Sequence, residues 1–221
     1  MNTLRFTASF DAVICLNGTI PESELFEHFA ELPLIAADGA ATALVASGIV
    51  PEFIVGDLDS IDADTLRRLE GLADVIVEPD QDMNDFEKTL RFAEGQLWKR
   101  LLIVGIHGGD LEHTLNNWSV MMRFGRTLSL TALDRQRYAI PLYASTAFPP
   151  TTDELLSLIP QPHAHLTTEG FQWPLSNEAL SLGGREGARN RAAAELVQIT
   201  VHDGSLLFFC DARLPFAPEF D

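Results

Sequence analysis

The chain has 221 residues, with 15 Lys and Arg against 32 Asp and Glu, a formal net charge of −17. That balance excludes sequence-independent nucleic-acid binding and attraction to an anionic bilayer, both of which need a cationic face. A content of 46% hydrophobic and 21% charged residues excludes a largely disordered chain.

In chain order, short apolar runs at 12–16, 34–37, 53–55, 75–77, 101–104 and 128–132 read as strands. Between them, 22–30, 40–47, 63–69, 85–97 and 111–124 read as helices. In the last of these, Leu111, Leu115, Trp118 and Met122 recur at helical spacing and predict one buried face. Strand and helix in alternation predict a parallel sheet covered by helices, an α/β domain over residues 1–135. From there the texture changes. Runs at 138–144, 155–159, 164–168, 195–201 and 206–210 read as strands separated by turns, with no amphipathic helix between them. They predict a small antiparallel sandwich or barrel over residues 136–221.

Cys15 and Cys210 have no metal-ligand spacing and are too few for a disulfide framework. The opening residues carry no basic head followed by a long apolar run, and no stretch is long and apolar enough to span a bilayer. The expected compartment is cytoplasmic.

The chemistry concentrates at the ends of the early strands. Gly56-Asp57-Leu58-Asp59-Ser60 places two carboxylates at the carboxyl end of a strand, where open parallel sheets bind ligands. A polar turn capping the next helix, with Ser60 or Asp62 as the cap, would also explain the pair. A second strand end carries Asp80, Gln81, Asp82 and Asp85, with Lys88 one helical turn beyond Asp85. Asp38 ends a third strand. Gathering carboxylates costs stability through mutual repulsion, so a cluster at a ligand edge points to a cation, with Mg²⁺ and a nucleotide as the expected occupants. Lys88 would then meet a phosphate as a point charge. A glycine-rich turn, Gly105 to Gly109, leads from a strand into a helix and offers backbone N–H groups to phosphate oxygens.

Taken together, these segments resemble the thiamine pyrophosphokinase family. Leu16-Asn17-Gly18 with Pro21 resembles the family's opening turn, Asp38-Gly39 its DGG turn, and Gly56-Asp57-Leu58-Asp59-Ser60 its GDxDS motif. Gln81-Asp82 with Asp85-Phe86-Glu87-Lys88 is similar to its QDxxDFxK motif, and 168–175 to a strand region of its second domain. The resemblance implies a Rossmann-like, ATP-binding α/β domain followed by a thiamine-binding β-sandwich, as a homodimer with the acceptor site between subunits. It implies Mg²⁺-dependent transfer of pyrophosphate from ATP to thiamine. By position, Asp57, Asp59 and Asp85 would bind metal, and Asp82 and Lys88 would join them as catalytic residues, Asp82 orienting the acceptor hydroxyl. Asp38, Gln81, Gly108 and Gly109 would line the nucleotide site, with Trp173 and Asn190 on the thiamine side.

The chain departs from the family pattern at three places. Asp110 stands where the GGRxDH motif has arginine, Ala40-Ala41-Thr42-Ala43 replaces the residues after DGG, and Gly187-Ala188-Arg189-Asn190 replaces STSN. Arg185, Arg189 and Arg191 are the cations nearest in sequence to compensate. These departures motivate two other readings, a pyrophosphokinase for another hydroxymethyl heterocycle such as a pterin, and a binding module without catalysis. An aspartyl-phosphate phosphatase built on Asp57 and Asp59 is the third. Its usual Thr or Val two positions after the second Asp is Ile61 here.

Overall fold

The computed structural model describes residues 1–221, which divide into two compact units. One is Ser9–Asp134; the other joins Met1–Ala8 to Arg135–Asp221. Strand β1 (Asn2–Ser9) therefore belongs with the far end of the chain, whereas the sequence pattern assigns residues 1–135 to one domain.

The unit 9–134 is a six-stranded parallel sheet. Its strands are β2 (Ala12–Cys15), β3 (Leu34–Ala37), β4 (Phe53–Gly56), β5 (Asp74–Val77), β6 (Arg100–Val104) and β7 (Ser129–Asp134). They lie in the order β7-β6-β2-β3-β4-β5, every pair parallel. Parallel neighbours need a crossover, and these are α1 (Ser23–Glu27), α2 (Ala40–Ala46), α3 (Ala63–Leu69), α4 (Asp85–Gly95) and α5 (Leu111–Phe124). The central strands are apolar throughout because both faces are covered; Ile14, Ile35, Ile54 and Ile103 have no exposed surface. Helix starts follow their caps. The Asp62 carboxylate accepts from the Asp64 and Thr65 N–H groups, and Asn84 accepts from Glu87 N–H.

Helix α5 departs from expectation. Leu111 and Leu115, placed on a buried face by their spacing, are 69% and 63% exposed, while Val120 and Met121 carry the burial. Periodicity identifies an apolar stripe without saying what covers it.

Strand order reverses between β2 and β6, so their following loops part to opposite sides and leave a crevice. The loops are drawn close at its base, where Thr19 N–H donates to the His107 carbonyl at 2.6 Å. Gly105 makes this possible: its φ is +68°, and a Cβ there would lie 2.2 Å from the Leu16 carbonyl oxygen.

The second unit is built on two long antiparallel strands, β10 (Leu155–Glu169) and β13 (Val197–Asp211). Strands β8 (Arg137–Leu142) and β9 (Thr146–Phe148) pair with β13, and β11 (Glu178–Ser181) and β12 (Gly187–Arg191) with β10. β1 pairs parallel to β9, and β14 (Phe216–Phe220) lies beside β1. Phe6, Tyr138, Phe148 and Phe208 form its aromatic core, with ring centroids 5.4–6.0 Å apart in successive contacts. The Glu154 carboxylate is buried in the same unit. It accepts from the Arg213 guanidinium at 2.6 Å, Asp211 N–H at 2.8 Å and Thr151 N–H at 2.7 Å.

Candidate active site

Three strand ends supply the acidic residues. Asp38 follows β3, and its φ of +40° turns the chain sharply into α2. Asp57 and Asp59 follow β4, with Leu58 between them at φ +67°. A left-handed leucine is a strained conformation, and strain of this kind persists where the surroundings impose it. Here it lets both flanking carboxylates serve one edge. Carboxylate oxygens of Asp38, Asp57 and Asp59 lie within 4.8 Å of one another. Gly56 keeps the space clear, since a Cβ there would come 2.7 Å from the Asp38 Cβ.

Asp38 is fully buried, and only one of its oxygens is satisfied. Oδ2 accepts from Ser60 N–H at 3.1 Å; Oδ1 has no partner. Burial lifts its carboxyl to about 6, against the Ser60 N–H, and the charges of Asp85, Asp57 and Asp59 add to the rise. A buried, uncompensated acceptor facing two more carboxylates is what a divalent cation relieves, and an all-oxygen set suits Mg²⁺. These residues therefore fit that ion.

Lys88 reaches the same edge from α4. Its side chain is almost wholly buried, with Nζ 3.0 Å from Asp57 Oδ2 and 3.3 Å from Asp85 Oδ1. Burial alone would weaken its hold on the proton, but the hydrogen bonds and charges of Asp57 and Asp85 outweigh it and keep the ammonium firmly charged. In return the Lys88 ammonium, followed by the Gln81 amide at 2.7 Å, holds the Asp57 carboxyl below its usual range. Asp85 is raised by burial, which the attraction of Lys88 only partly offsets. Lys88 thus puts one fixed positive charge inside an acidic crown. Glu87 secures α4 to α5 through Arg123 at 2.8 Å.

Asp57, Asp59, Asp85, Lys88 and Gly109 line one cleft of about 510 Å³ in the crevice at the strand reversal. Gln81 joins it through Asp57. Asp85 is not among the three tightly grouped carboxylates, a place that Asp38 takes instead. Asp82 stands apart on an exposed turn, its N–H donating to Asp80 Oδ1 at 2.9 Å. Gly108, at φ +99°, packs against Thr19. Trp173 and Asn190 lie in the other unit. There the Asn190 side chain accepts from Trp173 N–H at 3.1 Å and donates to its carbonyl at 2.7 Å, and Trp173 is 56% exposed. Asp110 also lines the cleft. Of the arginines expected to compensate, Arg185 is engaged by Glu178 and Arg191 by Asp153. Asn17 and Ser60, named in the sequence only as parts of turns, also line the cleft, and so does Asn117, which was not singled out by sequence. Their only signal is position just beyond a strand end or on the first turns of α5.

Two family models match the chain: "Thiamin pyrophosphokinase, catalytic domain" over residues 30–131, and "Thiamin pyrophosphokinase, vitamin B1 binding domain" over residues 146–206. The chain is 28% identical to thiamine pyrophosphokinase 1 of Arabidopsis thaliana, across 90% of this chain and 84% of that protein. It is 30% identical to thiamine pyrophosphokinase 1 of Oryza sativa subsp. japonica, across 74% of this chain and 67% of that one. Among solved structures it is similar to thiamine pyrophosphokinase from Bacillus subtilis, with a TM-score of 0.74 and 24% identity over 92% of this chain and 100% of that one. The yeast thiamin pyrophosphokinase superposes with a TM-score of 0.78 at 17% identity, over 92% of this chain and 86% of that one. At these identities the two structures speak for the fold.

Proposed function

This chain belongs to the thiamine pyrophosphokinase family, and on that premise we propose that it transfers the terminal diphosphate of ATP to the hydroxyl of thiamine, releasing AMP. The observation that carries this reading is the acidic crown of Asp38, Asp57 and Asp59 with the buried Lys88 ammonium bound to Asp57, at the carboxyl ends of a parallel sheet. In this reading a Rossmann-like unit receives ATP and a sandwich-like unit receives thiamine.

In the reaction the thiamine oxygen bonds to the β-phosphorus as its hydroxyl gives up a proton. The bridging oxygen between the α- and β-phosphorus atoms departs with AMP. Such transfers depend on alignment and charge neutralisation more than on covalent help. Asp57 and Asp59 would hold Mg²⁺, with Asp38 behind them and Asp85 on the open side. Bound there, the ion would neutralise phosphate charge and fix the polyphosphate in line. Lys88 adds a cation whose position is set by Asp57 and Asp85, so it requires little rearrangement when charge shifts towards the leaving group. Gly109 and its neighbours offer backbone N–H groups to the nucleotide. In the unit matched by the vitamin B1 binding model, the exposed Trp173 ring gives the cationic thiazolium a π-face, held in place by Asn190. Two buried free thiols suit a reducing, cytoplasmic compartment.

We also propose a homodimer, supported by the exposed apolar side of α5. The test of the activity is incubation with ATP, Mg²⁺ and thiamine, with products followed by phosphorus NMR. AMP and thiamine diphosphate are expected. Asp57→Asn should lower kcat by about 10²–10³-fold, and Trp173→Ala should raise KM for thiamine while leaving KM for ATP unchanged. Release of ADP, or no thiamine-dependent AMP, would overturn the reading.

A further inference from the structure

In the acidic crown each of the three carboxylates has one oxygen engaged by a donor of the chain and one left over. At Asp57, Oδ2 accepts from the Gln81 amide at 2.7 Å and from the Lys88 ammonium at 3.0 Å. Its Oδ1 meets only the Asp59 N–H at 3.5 Å, beyond the range of a good hydrogen bond. At Asp59, Oδ1 accepts from the Ser60 hydroxyl at 2.9 Å, and Oδ2 accepts from no donor of the chain. At Asp38, Oδ2 accepts from Ser60 N–H at 3.1 Å, while the buried Oδ1 has no partner.

Ser60 therefore holds two of the three carboxylates, one through its backbone and one through its side chain. The hydroxyl is available for this because Asp62, not Ser60, caps α3. Room for it is left by Gly39, where a Cβ would come 3.2 Å from the Ser60 Cβ. A carboxylate with one oxygen already committed gives an ion one bond instead of two. Mg²⁺ takes oxygen ligands at about 2.0–2.1 Å in near-ideal octahedral geometry and keeps several waters. Ca²⁺ is larger, takes ~6–8 oxygens and draws on bidentate carboxylates to reach that number.

We propose that Ser60, assisted by Gln81 and Lys88, sets the cation specificity of the crown by holding Asp38, Asp57 and Asp59 to one metal–oxygen bond each, which favours Mg²⁺ over Ca²⁺. The proposal rests on the reading of the crown as a divalent-cation site. Three single bonds leave half of an octahedral shell for phosphate oxygens and water, whereas Ca²⁺ would lack the second oxygens it needs. Ser60 is in this sense a positioning residue, acting through Asp38 and Asp59.

The test is calorimetric titration of the full chain, without nucleotide, with Mg²⁺ and with Ca²⁺ in separate runs; the ratio of the Ca²⁺ to the Mg²⁺ dissociation constant is the readout. The wild type should hold Mg²⁺ more tightly. Ser60→Ala keeps the backbone donor to Asp38 and frees only Asp59 Oδ1, so the ratio should fall about fivefold, through tighter Ca²⁺ binding. Ser60→Thr, which keeps the hydroxyl, should restore it. Gln81→Met, on an exposed turn, should shift the ratio the same way by less, because Lys88 stays on the same Asp57 oxygen. Melting temperatures without metal report whether each variant keeps its fold, and if Ser60→Ala does not, Gln81→Met decides. An unchanged ratio, equal weakening of both ions, or a wild type that prefers Ca²⁺ overturns the proposal and leaves the crown a cation site. A wild type that binds neither ion removes the cation reading of the crown, and the proposal with it.

Discussion

Asp38 carries a conflict that its own protein neighbours do not relieve: a carboxylate out of reach of water, with one oxygen satisfied and one not. Its folded pKa of about 6 lies above the ordinary value of about 3.9. The folded state therefore holds this proton more tightly than the unfolded chain does. The stability it contributes is complete below about pH 4 and is lost as pH rises towards 6. Asp38→Asn should remove that loss. Without divalent ions its melting temperature should match the wild type near pH 4 and exceed it by a few degrees at pH 7, where Mg²⁺ should raise the wild type alone. Thermal scans across this range, with and without Mg²⁺, decide the matter. The aspartates at strand ends were legible in the sequence because the run of apolar residues stops so abruptly before them. That Asp38, rather than Asp85, completes the tight group was not, because it depends on a left-handed turn and on the absence of a side chain at Gly56.

Elements of the 9–134 unit were legible for a related reason. Strands buried on both faces, such as Val13–Ile14–Cys15, have to be apolar at every position, and helices of adequate length must link them. β1 was not legible. Only Leu4 of its eight residues is buried, and its partner β9 lies about 140 residues further on. β10 was read as two strands because Pro160 and Pro162 interrupt the run. The structure tolerates them where the register with β13 shifts between Pro160 and Ala164 and the ladder needs no donor. The start of β10 and the end of β13 are joined by Glu154, whose side chain has no exposed surface. Glu154→Leu would strip acceptors from Arg213, Asp211 N–H and Thr151 N–H together. Breaking a buried pair in this way costs about 3–5 kcal/mol, to be read as a lower urea midpoint with the slope unchanged.

At the scale of the whole molecule, the exposed Leu111 and Leu115 set the clearest prediction. If a second copy covers α5, Leu115→Glu should convert a dimer of about twice 24.3 kDa into a monomer by light scattering, with unchanged circular dichroism. A wild type that is already monomeric would remove that role from the helix. The placement of β1 has a temporal consequence as well. During synthesis its residues leave the ribosome long before β9 and β14, and every element of the 9–134 unit emerges in between. That unit can close on local crossovers while β1 waits unpaired until β9 and then β14 emerge. Assembly of the second unit is thereby timed by the arrival of these distant partners.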